Sequence, residues 1–163
     1  MKTSMKLAAV LAAVLAVLSC EKSGLGDDSV KDAQLQKANE QFVDAVVIPT
    51  YKSLADECIK LQATLESLTE TKTDALVAQA CRQWKNARQY WEWSEAFLFG
   101  AASKYSIDPH IDTWPLDRAA LEGVLGNQTM MDDIENYVGN FNNGLLGFHG
   151  LEFIIFRDGN DRA

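Results

Sequence analysis

The stretch Gly147-Phe148-His149-Gly150-Leu151-Glu152-Phe153-Ile154-Ile155-Phe156 sets a histidine and a glutamate three residues apart in a run that is otherwise apolar or glycine. On a helix the two side chains stand about 60° apart around the axis and one turn apart along it, so both can address one ion. Carboxylate metal sites in helical bundles use a Glu/His pair at the same spacing. A glutamate in an apolar segment is unfavourable unless it is paired, so Glu152 calls for a cation. Two readings meet that need equally well from local chemistry: an internal ion pair with Arg88 or another arginine, or a bound metal. Gly147 and Gly150 each cost a helix about 1 kcal/mol relative to alanine. In return they permit close approach of another backbone, or of a ligand, beside the histidine.

Other chemistry-bearing residues cluster upstream. Trp84, Arg88, Trp91, Glu95 and Phe99 recur on one helical face, with Glu92 beside that stripe. His110, Asp112 and Asp117 flank the corner Trp114-Pro115. For Asp108 and His110 the plainer reading is turn chemistry and helix capping. A zinc hydrolase needs three protein ligands, an open water position and a general base. Neither H-E-x-x-H nor H-x-x-E-H occurs, since Phe153 follows Glu152, and the chain holds only two histidines. A nucleophile elbow is absent too, and no plausible Cys–His pair replaces it. The residues therefore argue against hydrolysis. A carboxylate-rich set with one histidine suits harder or borderline cations, iron among them.

The elements that must position these groups are helical. Between Val30 and Leu68 apolar residues follow three-and-four spacing, and Pro49 predicts a kink or break near Val47-Ile48. Residues 69–73 read as a turn, with Thr73 or Asp74 as N-cap. A second helix is expected from Asp74 to about Phe99, stopped by Gly100, with Ala80, Trp84, Ala87, Trp91, Ser94 and Leu98 on its inner face. The two form an antiparallel hairpin. Reflection about its turn brings Cys58 nearly opposite Cys81, which predicts a disulfide worth about 3 kcal/mol. Ala101 to Trp114 reads as a loop. Short helices are expected at Pro115 to Leu125 and around Met130 to Val138, a turn at Asn140 to Gly144, and a last helix over Leu145 to Phe156. That helix is apolar nearly all round and wants neighbours on every side. No strand-like alternation of useful length occurs, and the class is all-α, an up-down helical bundle.

The beginning of the chain has another purpose. Lys2 and Lys6 precede an apolar stretch from Leu7 to Leu18, the arrangement of a secretory signal, and Val17-Leu18-Ser19-Cys20 resembles a bacterial lipobox. Residues 1–19 are thus expected to be a lipoprotein signal peptide, with Cys20 lipidated and residues 20–29 a flexible tether. The formal charge of −8 argues against nucleic acid as a partner and accommodates cationic cargo.

Three blocks in order, "RQWKNARQYWEWSEAFLFG" from Arg82, "DPHIDTWPLD" from Asp108 and "GFHGLE" from Gly147, resemble the imelysin family, also called peptidase M75 or iron-regulated-protein-A-like. Its hallmark is G-x-H-x-x-E. The resemblance implies an all-helical fold whose two bundle-like halves face each other across a cleft, of which residues 30–163 match the first half. On this reading the domain is a truncated piece, or is completed by a partner. The resemblance further implies a lipid-anchored protein of the bacterial envelope, periplasmic or at the cell surface, connected with iron acquisition and with other iron-uptake envelope proteins. By position His149 and Glu152 match the hallmark. The expected metal ligands are His149, Glu152 and Glu95, with Arg88, Asp112 and Asp117 as neighbours and iron as the ion. Zinc or haem, a metallopeptidase, and a non-catalytic scaffold pairing Glu152 with Arg88 stand as alternatives.

Overall fold

The computed structural model describes residues 28–162. Backbone packing divides the chain at Val43 into two units. Of the first, helix α1 (Asp28–Phe42) is described. Asp28 and Ser29, expected in the tether, already belong to it, while the signal segment and Cys20 lie outside the described residues. A π-helical turn, Val43–Val47, precedes α2 (Ile48–Glu70), where Pro49 sits in the first turn. Proline has no N–H to give, and its ring crowds the carbonyl four residues back. The wider turn is the local answer, and the Thr50 hydroxyl donates to the Val46 carbonyl at 2.7 Å. The irregularity expected near Val47-Ile48 is this π-helical turn.

The second unit is built on α2 and α3 (Asp74–Ser94). Thr73 caps α3, its hydroxyl accepting from the Leu76 N–H at 3.3 Å. Ala80, Trp84, Ala87, Trp91 and Ser94 are buried, as their spacing predicts. Ala80 and Ala87, seven residues apart, leave room for Leu54 and Leu61 of α2. The hairpin is antiparallel, with Gln79 donating to Thr64 and Asn86 to Glu57. Both pairs are symmetric about a point between Thr71 and Lys72. In that register Cys81 faces Gln62, and Cys58 lies one turn, about 6 Å, from its level. The expected disulfide is therefore not formed: Cys58 is an exposed free thiol and Cys81 a buried one. Cys81 instead donates to the Ile155 carbonyl at 3.3 Å.

The α3 helix stops sooner than expected. Ser94 turns its hydroxyl onto the Trp91 carbonyl at 2.7 Å, competing with the helical ladder, and a 3₁₀ turn follows over Glu95–Phe97. The segment read as a loop contains two single-turn helices, α4 (Ala101–Lys104) and α5 (Ile107–Ile111). Helix α6 (Arg118–Leu125) begins three residues after Pro115, because Asp117 caps it through the Ala120 N–H at 3.0 Å. The single helix expected around Met130 is two, α7 (Gln128–Asp132) and α8 (Ile134–Val138). A 3₁₀ turn, Asn143–Leu145, leads into α9 (Gly147–Ile155).

Helix α9 docks on α3. The Trp84 indole N–H donates to the Phe148 carbonyl at 3.1 Å, and its ring meets Phe148 and Phe156 edge to face. The all-round burial expected of α9 is incomplete. Phe148, Gly150 and Ile155 are buried, whereas Ile154 is exposed beside an apolar cavity of about 300 Å³ bordered by α6, α7 and α8. After α9 the chain makes a small hairpin that the helical reading missed, β1 (Phe156–Arg157) against β2 (Asn160–Asp161). Asp158 and Gly159 both take positive φ at its tip, the geometry a tight two-residue turn requires. The fold remains all-α. No helix among the described residues is long and apolar enough to cross a membrane.

Candidate metal centre

Gly147 brings the site together. It has a φ of 73°, and a Cβ there would lie 2.1 Å from the Ile111 carbonyl oxygen. Only glycine lets the first turn of α9 press against the end of α5. Gly150 is similarly confined, its Cβ position lying 2.4 Å from the Leu145 carbonyl oxygen. The close approach anticipated from the glycines is therefore to backbone. It sets His149 of α9 beside Asp112, the residue that follows α5.

Asp112 is the hub. Its side chain is 7% exposed, and three nitrogens converge on its carboxylate. Arg88 of α3 contacts Oδ1, the Trp91 indole N–H donates to Oδ2 at 2.8 Å, and His149 Nε2 lies 3.1 Å from Oδ1. Arg88 also reaches Glu92 Oε1 at 2.5 Å and lies over the Phe148 ring, 5.4 Å from its centre. The other nitrogen of His149, Nδ1, faces Glu152 Oε2 at 3.2 Å. The imidazole is thus held between two carboxylates, and Trp114 packs on it with ring centres 4.7 Å apart.

Several expectations need correction here. Glu152 is not the buried carboxylate, since its side chain is 46% exposed. The partner of Arg88 is not Glu152 but Asp112 with Glu92, so the scaffold pairing fails on geometry. Asp117 is spent on capping α6 and does not join the cluster. His110 is exposed, with Nδ1 at 2.7 Å from the Ser106 carbonyl oxygen of its own turn, as the plainer reading has it. Phe99 is 65% exposed and leaves the tryptophan face, because the helix ends before reaching it.

Glu95 does approach the hub, together with Glu92, which the sequence reading placed only beside the stripe. Ligand-type atoms of Glu92, Glu95 and Asp112 lie within 4.8 Å of one another. Glu92 was legible as a neighbour of both, being four residues after Arg88 and three before Glu95. The Glu95 carboxyl is held above the ordinary carboxylate range, first by partial loss of solvent and then by the charges of Glu92 and Asp112. Arg88 opposes that shift.

Asp112 links the carboxylates of Glu92 and Glu95 on one side to the imidazole of His149 on the other, and such donors fit a cation of intermediate hardness. His149 Nε2 and Asp112 Oδ1, 3.1 Å apart, would both be in reach of one ion. Glu152 at Nδ1 is placed as a carboxylate that orients a ligating histidine. Beside the pair opens a cleft of about 370 Å³, walled by Trp84, Trp114, Phe153 and Phe156, with His149 and Glu152 on one side.

Comparison with known proteins agrees with this arrangement of elements. The sequence model of the family described as Imelysin, Peptidase M75, matches residues 47–163. The chain belongs to the imelysin family. It is 33% identical over 115 residues to iron-regulated protein A of Synechococcus elongatus, covering 71% of this chain and 30% of that protein. Among solved structures it is similar to an imelysin peptidase from Bacteroides ovatus, at 39% identity and a TM-score of 0.66, over 75% of this chain and 36% of that one. A protein described as an iron-regulated protein A precursor from Parabacteroides distasonis matches at 30% identity and the same TM-score, over 76% and 34% of the two chains. The chain spans about a third of the length of these relatives. The family match, residues 47–163, takes in the hairpin, the Asp112 corner and α9 together.

Proposed function

We propose that this imelysin-family chain binds a metal ion, iron, at the junction of α3, α5 and α9, as part of iron acquisition at the bacterial envelope. The carrying observation is the shared position of Asp112, whose Oδ1 lies 3.1 Å from His149 Nε2 and whose carboxylate also gathers with those of Glu92 and Glu95. His149, Asp112, Glu95 and Glu92 would hold the ion. Glu152, expected from the sequence as a ligand, would instead fix the imidazole through Nδ1, leaving Nε2 for the metal. Iron is favoured over other cations by the oxygen-rich donor set and by the iron-regulated names of two relatives. Bound there, the ion would supply a compact positive charge to the cleft. The chain's own residues would supply its cage and, through Trp114 tilted against His149, cover for one side of it. Lipidation at Cys20 would tether the protein to the membrane, periplasmic or surface-facing, within reach of other iron-uptake proteins.

Metal analysis of the purified protein after equilibration with ferrous ion tests the reading. Wild type should carry iron, while His149→Ala and Asp112→Asn should lose most of it. Glu152→Gln should retain iron with weakened affinity, about tenfold, as expected of an orienting group. Equal metal content in all four proteins would exclude the site.

A further inference from the structure

Asp112 is the carboxylate the metal reading needs most, yet a cation of the chain itself already holds it. Arg88 contacts Asp112 Oδ1, the same oxygen that His149 Nε2 faces at 3.1 Å. Its second terminal nitrogen holds Glu92 at 2.5 Å, so the guanidinium spans two of the three carboxylates in the acidic cluster. Guanidinium stays protonated at any pH a protein meets. It cannot therefore leave by losing its charge; it can only move. The surroundings give it somewhere to stay. Glu92, one turn along α3 and 46% exposed, can keep the guanidinium on Oε1 while its other oxygen serves the ion, and the Phe148 ring offers a cation–π face 5.4 Å away. Neither anchor depends on Asp112. Asp112, by contrast, keeps the Trp91 N–H on its other oxygen when Oδ1 is released.

We propose that Arg88 is the resident counter-ion of this site, and that a divalent cation binds by displacing its guanidinium from Asp112 Oδ1. This rests on the metal reading above. Arg88 satisfies a buried carboxylate when no metal is bound, which keeps the junction of α3, α5 and α9 intact. It also sets a threshold for loading, because the incoming ion must outcompete a positive charge for the same oxygen. A weak or monovalent cation has little chance of doing so, and a divalent ion that gains His149 Nε2 as well can. Displacement involves no change in protonation of Arg88 and no bond made or broken beyond coordination.

Manganese(II), titrated calorimetrically into the full chain, is the probe. Arg88→Gln should bind it more tightly than wild type, by about tenfold, because like-charge opposition is removed. Adding His149→Ala to Arg88→Gln should abolish the gain. Arg88→Lys, whose single ammonium cannot span both carboxylates, should tighten binding in the same direction by a smaller factor, and it decides the matter should Arg88→Gln fail to fold. Equal or weaker binding by folded Arg88 variants, with wild type binding normally, would overturn the counter-ion role and make Arg88 a holder of the ligands. Absence of binding in wild type and variants alike would overturn the metal reading and this proposal with it.

Discussion

His149 Nε2 and Asp112 Oδ1 lie 3.1 Å apart, joining a residue of α9 to the residue that follows α5. The contact exists because Gly147 lets the start of α9 sit on the Ile111 carbonyl, one residue before Asp112. A backbone contact thus fixes a side-chain pair; Arg88 and Glu92 reach it from α3, and Glu95 from the 3₁₀ turn that follows α3.

Gly147→Ala tests the role of that contact. A methyl group 2.1 Å from a carbonyl oxygen, at a φ of 73°, cannot be accommodated without moving α9. The expected loss is about 2 kcal/mol or more, read as a lower midpoint in urea unfolding. Metal uptake should fall with it. Stability and uptake both equal to wild type would show that α9 can shift without cost.

Trp91→Phe removes the indole N–H from Asp112 Oδ2 and leaves a buried acceptor without that donor. Destabilisation by about 1–3 kcal/mol is expected. Glu92→Gln, at an exposed position, should cost much less, since ion pairs open to solvent contribute little. Chemical denaturation of the two variants side by side gives the comparison.

Glu95 predicts a pH dependence with a definite sign. Its folded-state carboxyl titrates above the ordinary 4.5, for reasons of solvent loss and of Glu92 and Asp112 nearby. A group whose folded value is raised contributes stability below its unfolded value and loses it as pH rises through the folded value. Metal-free protein should therefore lose part of its stability as pH climbs above 4.5, and Glu95→Gln should flatten that part of the profile. Parallel profiles for the two proteins would remove Glu95 as the cause.

The thiols separate just as clearly. In a Cys20→Ser background, Cys58 should react with a thiol reagent in the native protein, while Cys81 should react only on unfolding. Burial first, then the negative Asp161, pushes the Cys81 thiol up to about 11. Mass before and after reduction should be unchanged; a shift of two hydrogens would restore the bridge.

Much of the fold was legible because it is local. The inner face of α3, the Thr73 cap and an irregularity before Pro49 follow from spacing and backbone chemistry within one or two turns. The Asp158-Gly159 turn carried an equally local hairpin signal, passed over because the flanking strands are only two residues each. The early end of α3 was harder to see, since Ser94 could equally have faced its carbonyl or its neighbours.

From its order of residues alone this protein is helical, presents tryptophans at helical spacing and pairs His149 with Glu152 one turn apart. That much needs only the pitch of a helix. Which carboxylate would be buried, where Arg88 would point and whether Cys58 could reach Cys81 were decided by the tertiary structure. Each depends on hairpin register and on how closely α9 meets α5, distances set by packing between segments far apart in the chain. A shift of one turn in that register separates the two thiols, and one backbone contact at Gly147 makes Asp112 the centre of the site.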